Sequence, residues 1–211
     1  MRDKKLSSIG NEVKVEARSI VDSLGEFADG IRCFLLLHRS KDGGSKNSES
    51  RRTFDFDVSN DKVQCCHILE RMLLLHYVND EPTRIYISVN RRSYPTAIRN
   101  LLTTMIGSFY DSEEVKDNLY KNLFRNTRTY LMQKNARVDN FFLIDVDRKE
   151  GEEDKDISAP ALSWLGENNI HVHLVRQTKN GFHIITSPFN PNSFPKDIGE
   201  VKTDALLCIK Y

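Results

Sequence analysis

The chain has 211 residues, of which 39% are hydrophobic and 29% are charged, and its formal net charge is +1. These totals are typical of a globular protein with one well-filled core and exclude an intrinsically disordered chain. No apolar run approaches the length of about 18 residues that a membrane-spanning helix needs, and the charged start MRDKK leads into no signal-peptide core. We therefore expect a cytoplasmic protein without a membrane partner. Its four cysteines lack CxxC spacing, which predicts buried thiols rather than a zinc ribbon or a disulfide scaffold.

Hydrophobic spacing predicts a mixture of helices and strands along the chain, including hairpins. Helices are expected at 11–28, 61–78, 93–109, from 111 to Tyr130, and at 158–169. Strands are expected at 31–38, 53–58, 84–90, 140–147, 170–176, 182–187 and 204–211. The Gly/Ser/Lys-rich residues 39–50 and the stretch 187–197 are expected to be loops. We therefore expect one α/β (α+β) domain over residues 1–211, with a mixed, largely antiparallel sheet that helices cover on one face.

Two of the expected strands have faces of different polarity, because alternate residues of a strand point to opposite sides. In 84–90 the apolar residues Ile85, Ile87 and Val89 alternate with Arg84, Tyr86, Ser88 and Asn90. In 141–147 the apolar residues Phe142, Ile144 and Val146 alternate with Phe141, Leu143, Asp145 and Asp147. If helices cover the apolar sets, the other face is an open cleft for a ligand or nucleic acid. The alternative is an ordinary half-solvated sheet.

Asp145 and Asp147 form a DxD pair at the end of an apolar strand. Residues two apart on a strand point the same way from roughly 6.5 to 7 Å apart, a spacing that suits shared ligands of two divalent cations. The alternative is a strand end that enters the acidic loop after Lys149. Asp55 and Asp57 have the same spacing and compete as the acidic pair. The later pair is favoured because a histidine hairpin follows it.

The hairpin is NNIHVHLVRQTKNGFHIIT, with a tight-turn signal at Asn180-Gly181. A two-residue turn places Arg176, Thr178 and His183 on one face and His171 and His173 on the other. A three-residue turn instead moves both earlier histidines to the face of His183. Taken by itself, His183 is typical of a structural histidine. Arg176, Thr178 and Lys179 beside it supply donors suited to a triphosphate.

Three motifs follow one another in the C-terminal third: an apolar strand ending in DxD (FFLIDVD), a turn and strand with GxH (TKNGFHIIT), and a single acid before an apolar strand (KTDALLCIKY). This order resembles the catalytic core of the archaeo-eukaryotic primase and primase-polymerase superfamily. The resemblance covers residues 140–211, with a vaguer similarity upstream at YISVNRRSYPTAI. It divides the domain into an N-terminal α/β part, 1–135, and a catalytic core, 136–211.

The resemblance implies an RRM-like sheet that adds nucleotides to a nucleic-acid 3′-hydroxyl, in replication or priming, with two Mg²⁺ or Mn²⁺ ions. The catalytic metal ligands that it implies are Asp145, Asp147 and Asp204, with Asp197 or Glu200 as substitutes for the third. The nucleotide contacts that it implies are His183, Arg176, Lys179 and Arg92, or Arg91 in place of Arg92. The implied partners are nucleoside triphosphates, single-stranded or primed nucleic acid, and a replicative helicase.

Two other functions fit parts of the sequence. His171 and His173 match the His-hydrophobe-His metal motif of rolling-circle replication-initiator endonucleases, which also need a tyrosine nucleophile. Only Tyr211 follows the motif in the chain, and Tyr120 and Tyr130 precede it. The second alternative is a non-catalytic nucleic-acid-binding module that uses Arg84, Tyr86 and the basic helix 116–134, whose binding would be independent of metal and weakened by salt.

Overall fold

The computed structural model describes residues 2–25, 30–38, 52–78, 82–111, 123–149 and 156–211. The helices in these ranges are α1 (Arg2–Ser23), α2 (Lys62–Val78), α3 (Tyr94–Asp111), α4 (Leu123–Leu131) and α5 (Ala159–Glu167). The strands are β1 (Arg32–His38), β2 (Arg52–Ser59), β3 (Thr83–Ser88), β4 (Phe142–Asp147), β5 (Val172–Gln177), β6 (Gly181–Thr186), β7 (Glu200–Lys202) and β8 (Leu206–Lys210). The loop expected at 39–50 lies outside the described residues. The helix start expected at 111–114 also lies outside them, apart from Asp111.

Most elements lie where hydrophobic spacing predicts them, and two differ. α1 begins nine residues before the expected position 11 and ends at Ser23 rather than at 28. β7 was not predicted, because three residues are too few to show a strand period. None of the described helices is long and apolar enough to cross a membrane.

The strands form two antiparallel four-stranded sheets, so the fold is mixed α+β. The first sheet has the order β2-β1-β3-β8 and the second has the order β5-β6-β4-β7. The expectation of one sheet was wrong, since the alternation within a strand identifies its faces but not the strand with which it pairs. Because β8 pairs with β3, the first sheet contains strands from both sides of the expected division at residue 135.

The second sheet has the strand order of an RRM-like sheet. In chain order it runs β4, α5, β5, β6 and β7, and a short 3-10 helix at Pro191–Ser193 stands where the second helix of that arrangement would be. α5 covers one face, where Ala161 and Leu165 pack near Ile144, Val146 and Ile184. The face that carries Asp145 and His183 is therefore not covered by α5.

The two sheets share one hydrophobic core. On the first sheet Phe34, Leu36, Ile85 and Ile87 pack in one cluster with residues of α1 and α2. Leu143 of β4 and Ile185 of β6 belong to the same cluster, so the face of the second sheet opposite α5 is partly buried against α1 and the first sheet. The four cysteines are free, and Cys33, Cys65 and Cys208 are buried, as predicted, whereas Cys66 is only partly buried.

The polar face predicted for β3 is open at one end only. Arg84 and Tyr86 line a cavity, but Ser88 and Asn90 are completely buried. Ser88 Oγ accepts a hydrogen bond from the Cys33 N–H (3.0 Å), and the Asn90 amide both donates to and accepts from the backbone of Phe141. The prediction that Ser88 and Asn90 face an open cleft was therefore wrong, because they satisfy backbone groups where the sheets meet.

Candidate active site between the two sheets

A cavity of about 570 Å³ opens where the second sheet meets the first. The second sheet, with its loops, contributes six charged or imidazole side chains: Asp145, Asp147, His183, Lys179, Lys202 and Asp204. The wall formed by β3, β8 and the C-terminus includes Arg84, Tyr86, Cys208 and Tyr211. A single cavity therefore contains all three acids of the predicted catalytic set, together with His183 and Lys179.

β4 brings the acidic pair to this cavity. Ile144 and Val146 are buried toward α5, so Asp145 and Asp147 point to the opposite face, as the alternation predicted. Asp145 lies opposite His183 on β6 and Glu200 on β7. The aspartates differ in burial, since the Asp145 side chain is 19% exposed and Asp147 is open to solvent.

Two hydrogen-bond donors hold Asp145. Its Oδ2 lies 2.5 Å from Lys202 Nζ, and its Oδ1 lies 3.3 Å from His183 Nε2. Burial raises the pKa of Asp145, but the hydrogen bonds from His183 and Lys202 and the positive charge of Lys202 outweigh it and lower the pKa to about 2. For Lys202, burial lowers the pKa, but the contacts with Asp145 and Glu200 outweigh it and raise the pKa. Asp145 and Lys202 are therefore a carboxylate–ammonium pair.

His183 is oriented by the free edge of β8. Its Nδ1 accepts a hydrogen bond from the Cys208 N–H at 3.4 Å, which places the ring proton on Nε2, toward Asp145. Its cross-strand neighbour Arg176 donates to the Ile209 carbonyl at 2.6 Å. Arg176, predicted to contact the nucleotide, therefore binds the β8 backbone, and together these residues satisfy two groups on an edge strand.

Arg92 holds Asp204 in the cavity wall. Its guanidinium donates to both carboxylate oxygens, at 3.0 and 2.6 Å, and its side chain is only 1% exposed. Arg92 does not line the cavity, and its contact with a nucleotide stays a prediction. Its neighbour Arg91 pairs with Asp139 through Nε and Nη2. Burial raises the pKa of Asp139, but the hydrogen bonds from Arg91 outweigh it and lower that pKa.

The hairpin turns one residue earlier than the Asn-Gly signal indicated. Thr178 N–H donates to the Gly181 carbonyl at 2.8 Å, and Arg176 lies opposite His183, so the turn residues are Lys179 and Asn180. Arg176 and His183 lie on the same side, as the two-residue turn predicted. His173 does not lie on the opposite side as that turn predicted, because the register shifts between Val172 and Leu174 and His173 lines a cavity with Leu174 and Ile185. Gly181 is required in the strand rather than in the turn, because a Cβ at this position would overlap the Val146 carbonyl.

The other predicted site residues lie outside this cavity. His171 and His173 stand together, with ring centroids 4.5 Å apart, beside Ser187. Ser187 is four residues beyond His183, roughly 13 Å along the strand. Asp197 and Glu200 do not line the cavity, and Glu200 is largely exposed. Asp204 is therefore the acid of this trio that shares this cavity with Asp145 and Asp147, whereas Asp197 and Glu200 line a second cavity beside the same pair.

The competing pair Asp55 and Asp57 is engaged elsewhere. Both point toward α2, where Arg71 Nε lies 3.0 Å from Asp55 and Arg71 Nη2 lies 2.9 Å from Asp57. This pair does not line the cavity. The same DxD spacing thus forms a salt bridge to a helix at one place and enters a cavity at the other.

The basic helix predicted at 116–134 is described only from residue 123 onward. In that part Arg128 lies over the ring of Phe56, with its guanidinium carbon 5.9 Å from the ring centroid. Tyr130, one of the candidate nucleophiles, packs against the core cluster of Cys33 and Leu35. Tyr120 lies outside the described residues.

Lys202 is a residue of the site that sequence reasoning missed. It belongs to β7, whose pairing places Leu143 opposite Lys202 and Asp145 opposite Glu200, so Lys202 reaches Asp145 diagonally. No periodicity in so short a strand predicts this register. The weak signal available was a lysine two residues before the candidate third acid.

The donor set fits a divalent cation through Asp145 and Asp147. Carboxylate oxygens are the ligands that Mg²⁺ and Mn²⁺ prefer, and Lys202 already places a positive charge against Asp145. Asp204 lines the same cavity but is bound by Arg92. In the part of the chain that the structure describes, no group of three or more His, Cys, Asp or Glu side chains is arranged to hold a metal ion.

Comparison with known proteins adds no further constraint on this site. The chain matches no protein-family model, no curated protein and no solved structure.

Proposed function

We propose that the protein is a metal-dependent nucleotidyltransferase of the primase-polymerase type, which adds nucleotides to the 3′-hydroxyl of a primed nucleic acid. The observation that carries this proposal is the meeting of Asp145, Asp147, Asp204, His183 and Lys179 in one cavity on the face of an RRM-like sheet that α5 does not cover. These residues come from β4, the hairpin and the β7–β8 connection, which are separated in sequence.

The charges in the cavity suit a nucleoside triphosphate. Asp145 and Asp147 would hold divalent cations, which neutralise charge on the phosphates and polarise the attacked phosphorus when bound. Lys179 and Thr178 at the hairpin turn offer donors to the phosphate chain, and His183 directs its Nε2 proton to the same side. On the other wall Tyr86 and Arg84 offer an aromatic face and a guanidinium to the base or sugar.

The test uses the full chain with a primed template, labelled nucleotides and Mn²⁺ or Mg²⁺. The expected result is primer extension that depends on the metal ion and that Asp145→Ala or Asp147→Ala lowers by about 100-fold or more. Lys179→Ala is expected to raise the KM for the nucleotide, because it removes a phosphate contact.

The chain contains a matched control in its second DxD pair. Asp57→Asn removes one charge from a carboxylate pair of the same spacing that binds Arg71 outside the cavity, so extension should be retained. Equal loss of extension in the Asp57 and Asp145 variants would contradict the assignment of the site. If neither extension nor metal-dependent nucleotide binding occurs, the catalytic proposal fails, and DNA linked covalently to a tyrosine would select the endonuclease instead.

A further inference from the structure

Lys202 pairs with the carboxylate of Asp145, the same group that would hold a divalent cation. Its Nζ lies 2.5 Å from Asp145 Oδ2 and 3.3 Å from Glu200 Oε2. The Lys202 side chain is 37% exposed and lines the cavity, so it is accessible to a ligand that enters there.

The backbone fixes Lys202 beside Asp145. β7 pairs with β4 through only three residue pairs, in the register that sets Leu143 opposite Lys202. Gly199, just before β7, lies so close to β4 that a Cβ on it would stand 2.8 Å from the Asp145 carbonyl oxygen. The short strand is therefore held tightly against the acid strand, and the lysine extends from it across to the carboxylate.

An ammonium group and a divalent cation compete for this carboxylate. A protonated lysine donates hydrogen bonds but cannot ligate a metal, so it must leave Asp145 Oδ2 before a cation binds there. An ammonium that leaves Asp145 keeps Glu200 as one anionic partner. Phosphate is the strongest hydrogen-bond acceptor that a nucleotide brings into the cavity, so it can take the place of Asp145.

We propose that Lys202 is the resident cation of Asp145, which a divalent ion replaces when a nucleoside triphosphate enters, and that Lys202 then pairs with a phosphate oxygen. This inference rests on the proposed nucleotidyltransferase function and adds a residue that couples the two ligands. Without the nucleotide, Lys202 weakens metal binding, and with the nucleotide it strengthens nucleotide binding. Metal and nucleotide therefore bind with positive cooperativity.

The first measurement is Mn²⁺ binding to the full chain without nucleotide, followed by electron paramagnetic resonance of the free ion. Lys202→Met removes the competing cation, so the affinity for Mn²⁺ is expected to rise about tenfold, within the usual range of coupling between two ligands. Lys202→Arg retains the charge and should keep the wild-type affinity. If Lys202 only braced β7 against β4, Lys202→Met would loosen the acid strand and lower the Mn²⁺ affinity, which is the opposite sign.

The second measurement is the binding of fluorescent dATP with Mn²⁺ or with EDTA. The Mn²⁺-dependent gain in dATP affinity should be large in the wild-type protein and several-fold smaller in Lys202→Met. Lys179→Met is the matched control, because it removes the same charge from the same cavity without touching Asp145. It should weaken dATP binding but leave Mn²⁺ affinity without nucleotide nearly unchanged.

The outcomes separate this inference from the proposed function. Unchanged or weaker Mn²⁺ binding by folded Lys202→Met would overturn the role of Lys202, even if the protein extends primers. Tighter Mn²⁺ binding by that variant in a protein that extends no primer would support the exchange at Asp145 and reject the polymerase proposal. Absence of Mn²⁺ binding in every variant would overturn both.

Discussion

Asp145 remains ionised in a half-buried position because His183 and Lys202 donate to its two oxygens. Asp147, two residues further along, is exposed on the same face of β4. The pair therefore combines one carboxylate whose position is set by protein donors with one that is open to the cavity. His183 donates to Asp145 through Nε2 because its other nitrogen accepts from the β8 backbone. The hydrogen bond that His183 donates to Asp145 thus depends on β8, a strand of the other sheet.

Asp145 should make the stability of the protein depend on pH in the acid range. Its pKa is lowered from 3.8 to about 2 in the folded state, so folding favours the carboxylate. The resulting stabilisation is present above the unfolded-state pKa near 4 and is lost as the pH falls toward 2, and it amounts to about 2 kcal/mol. Urea denaturation should give Asp145→Asn a lower free energy of unfolding than the wild type at pH 7, with a deficit that shrinks between about pH 5 and pH 2. A deficit that does not change with pH would contradict this origin.

At the scale of the element, two glycines let other segments approach β4 closely. Gly181 lies opposite Asp147 on the β6 side, and Gly199 precedes β7 on the other side. A side chain at either position would meet the carbonyls of Asp145 or Val146. The positions of His183 and Lys202 relative to the acids therefore depend on residues that have no side chain.

Gly181→Ala should destabilise the protein more than an ordinary Gly→Ala change. The new Cβ would overlap the Val146 carbonyl, so β6 must move away from β4, and we expect a loss of about 2–4 kcal/mol in the free energy of unfolding. Gly166→Ala in α5 is the control, because nothing lies within 4 Å of its added Cβ. That substitution should be neutral or stabilising by up to about 1 kcal/mol. Equal melting temperatures for the two variants would show that β6 tolerates the side chain.

At the scale of the whole molecule, β8 and Arg92 join the N-terminal and C-terminal parts of the chain. β8 completes the first sheet by pairing with β3, and its free edge binds His183 and Arg176 of the second sheet. Arg92, from the segment after β3, forms a buried ion pair with Asp204, which precedes β8 by two residues in the chain. The catalytic core suggested by the motifs, 136–211, is therefore not a separate unit of packing.

A fragment of residues 136–211 should not fold cooperatively. Without the first sheet, β8 loses β3, the strand with which it pairs, and Leu207 and Ile209 lose the core cluster that contains Phe34 and Ile85. Far-UV circular dichroism during heating should show a broad, non-cooperative change for the fragment and a sigmoidal transition for the full chain. A sigmoidal transition of the fragment would contradict this dependence.

The sequence by itself determined the α/β class, most elements and the residues that share a face of each strand. These features follow from local period, since Asp145 and Asp147 alternate with Ile144 and Val146 whatever lies beside the strand. The order of the motifs also identified the three acids, together with His183 and Lys179, and the fold brings these residues to one cavity. It misplaced the hairpin turn, because the close approach of Gly181 to β4 is not visible in a local turn signal.

Only the tertiary structure decided which strands pair and which charges meet. The pairing of β8 with β3, the contact of Lys202 with Asp145 and the burial of Arg92 against Asp204 join residues 57 to more than 110 positions apart in sequence. The period of a strand specifies its two faces, but its partner and register depend on the total packing of both sheets. For this reason the sequence identified the acids of the site, while the fold determined which cations lie beside two of them, Lys202 beside Asp145 and Arg92 beside Asp204.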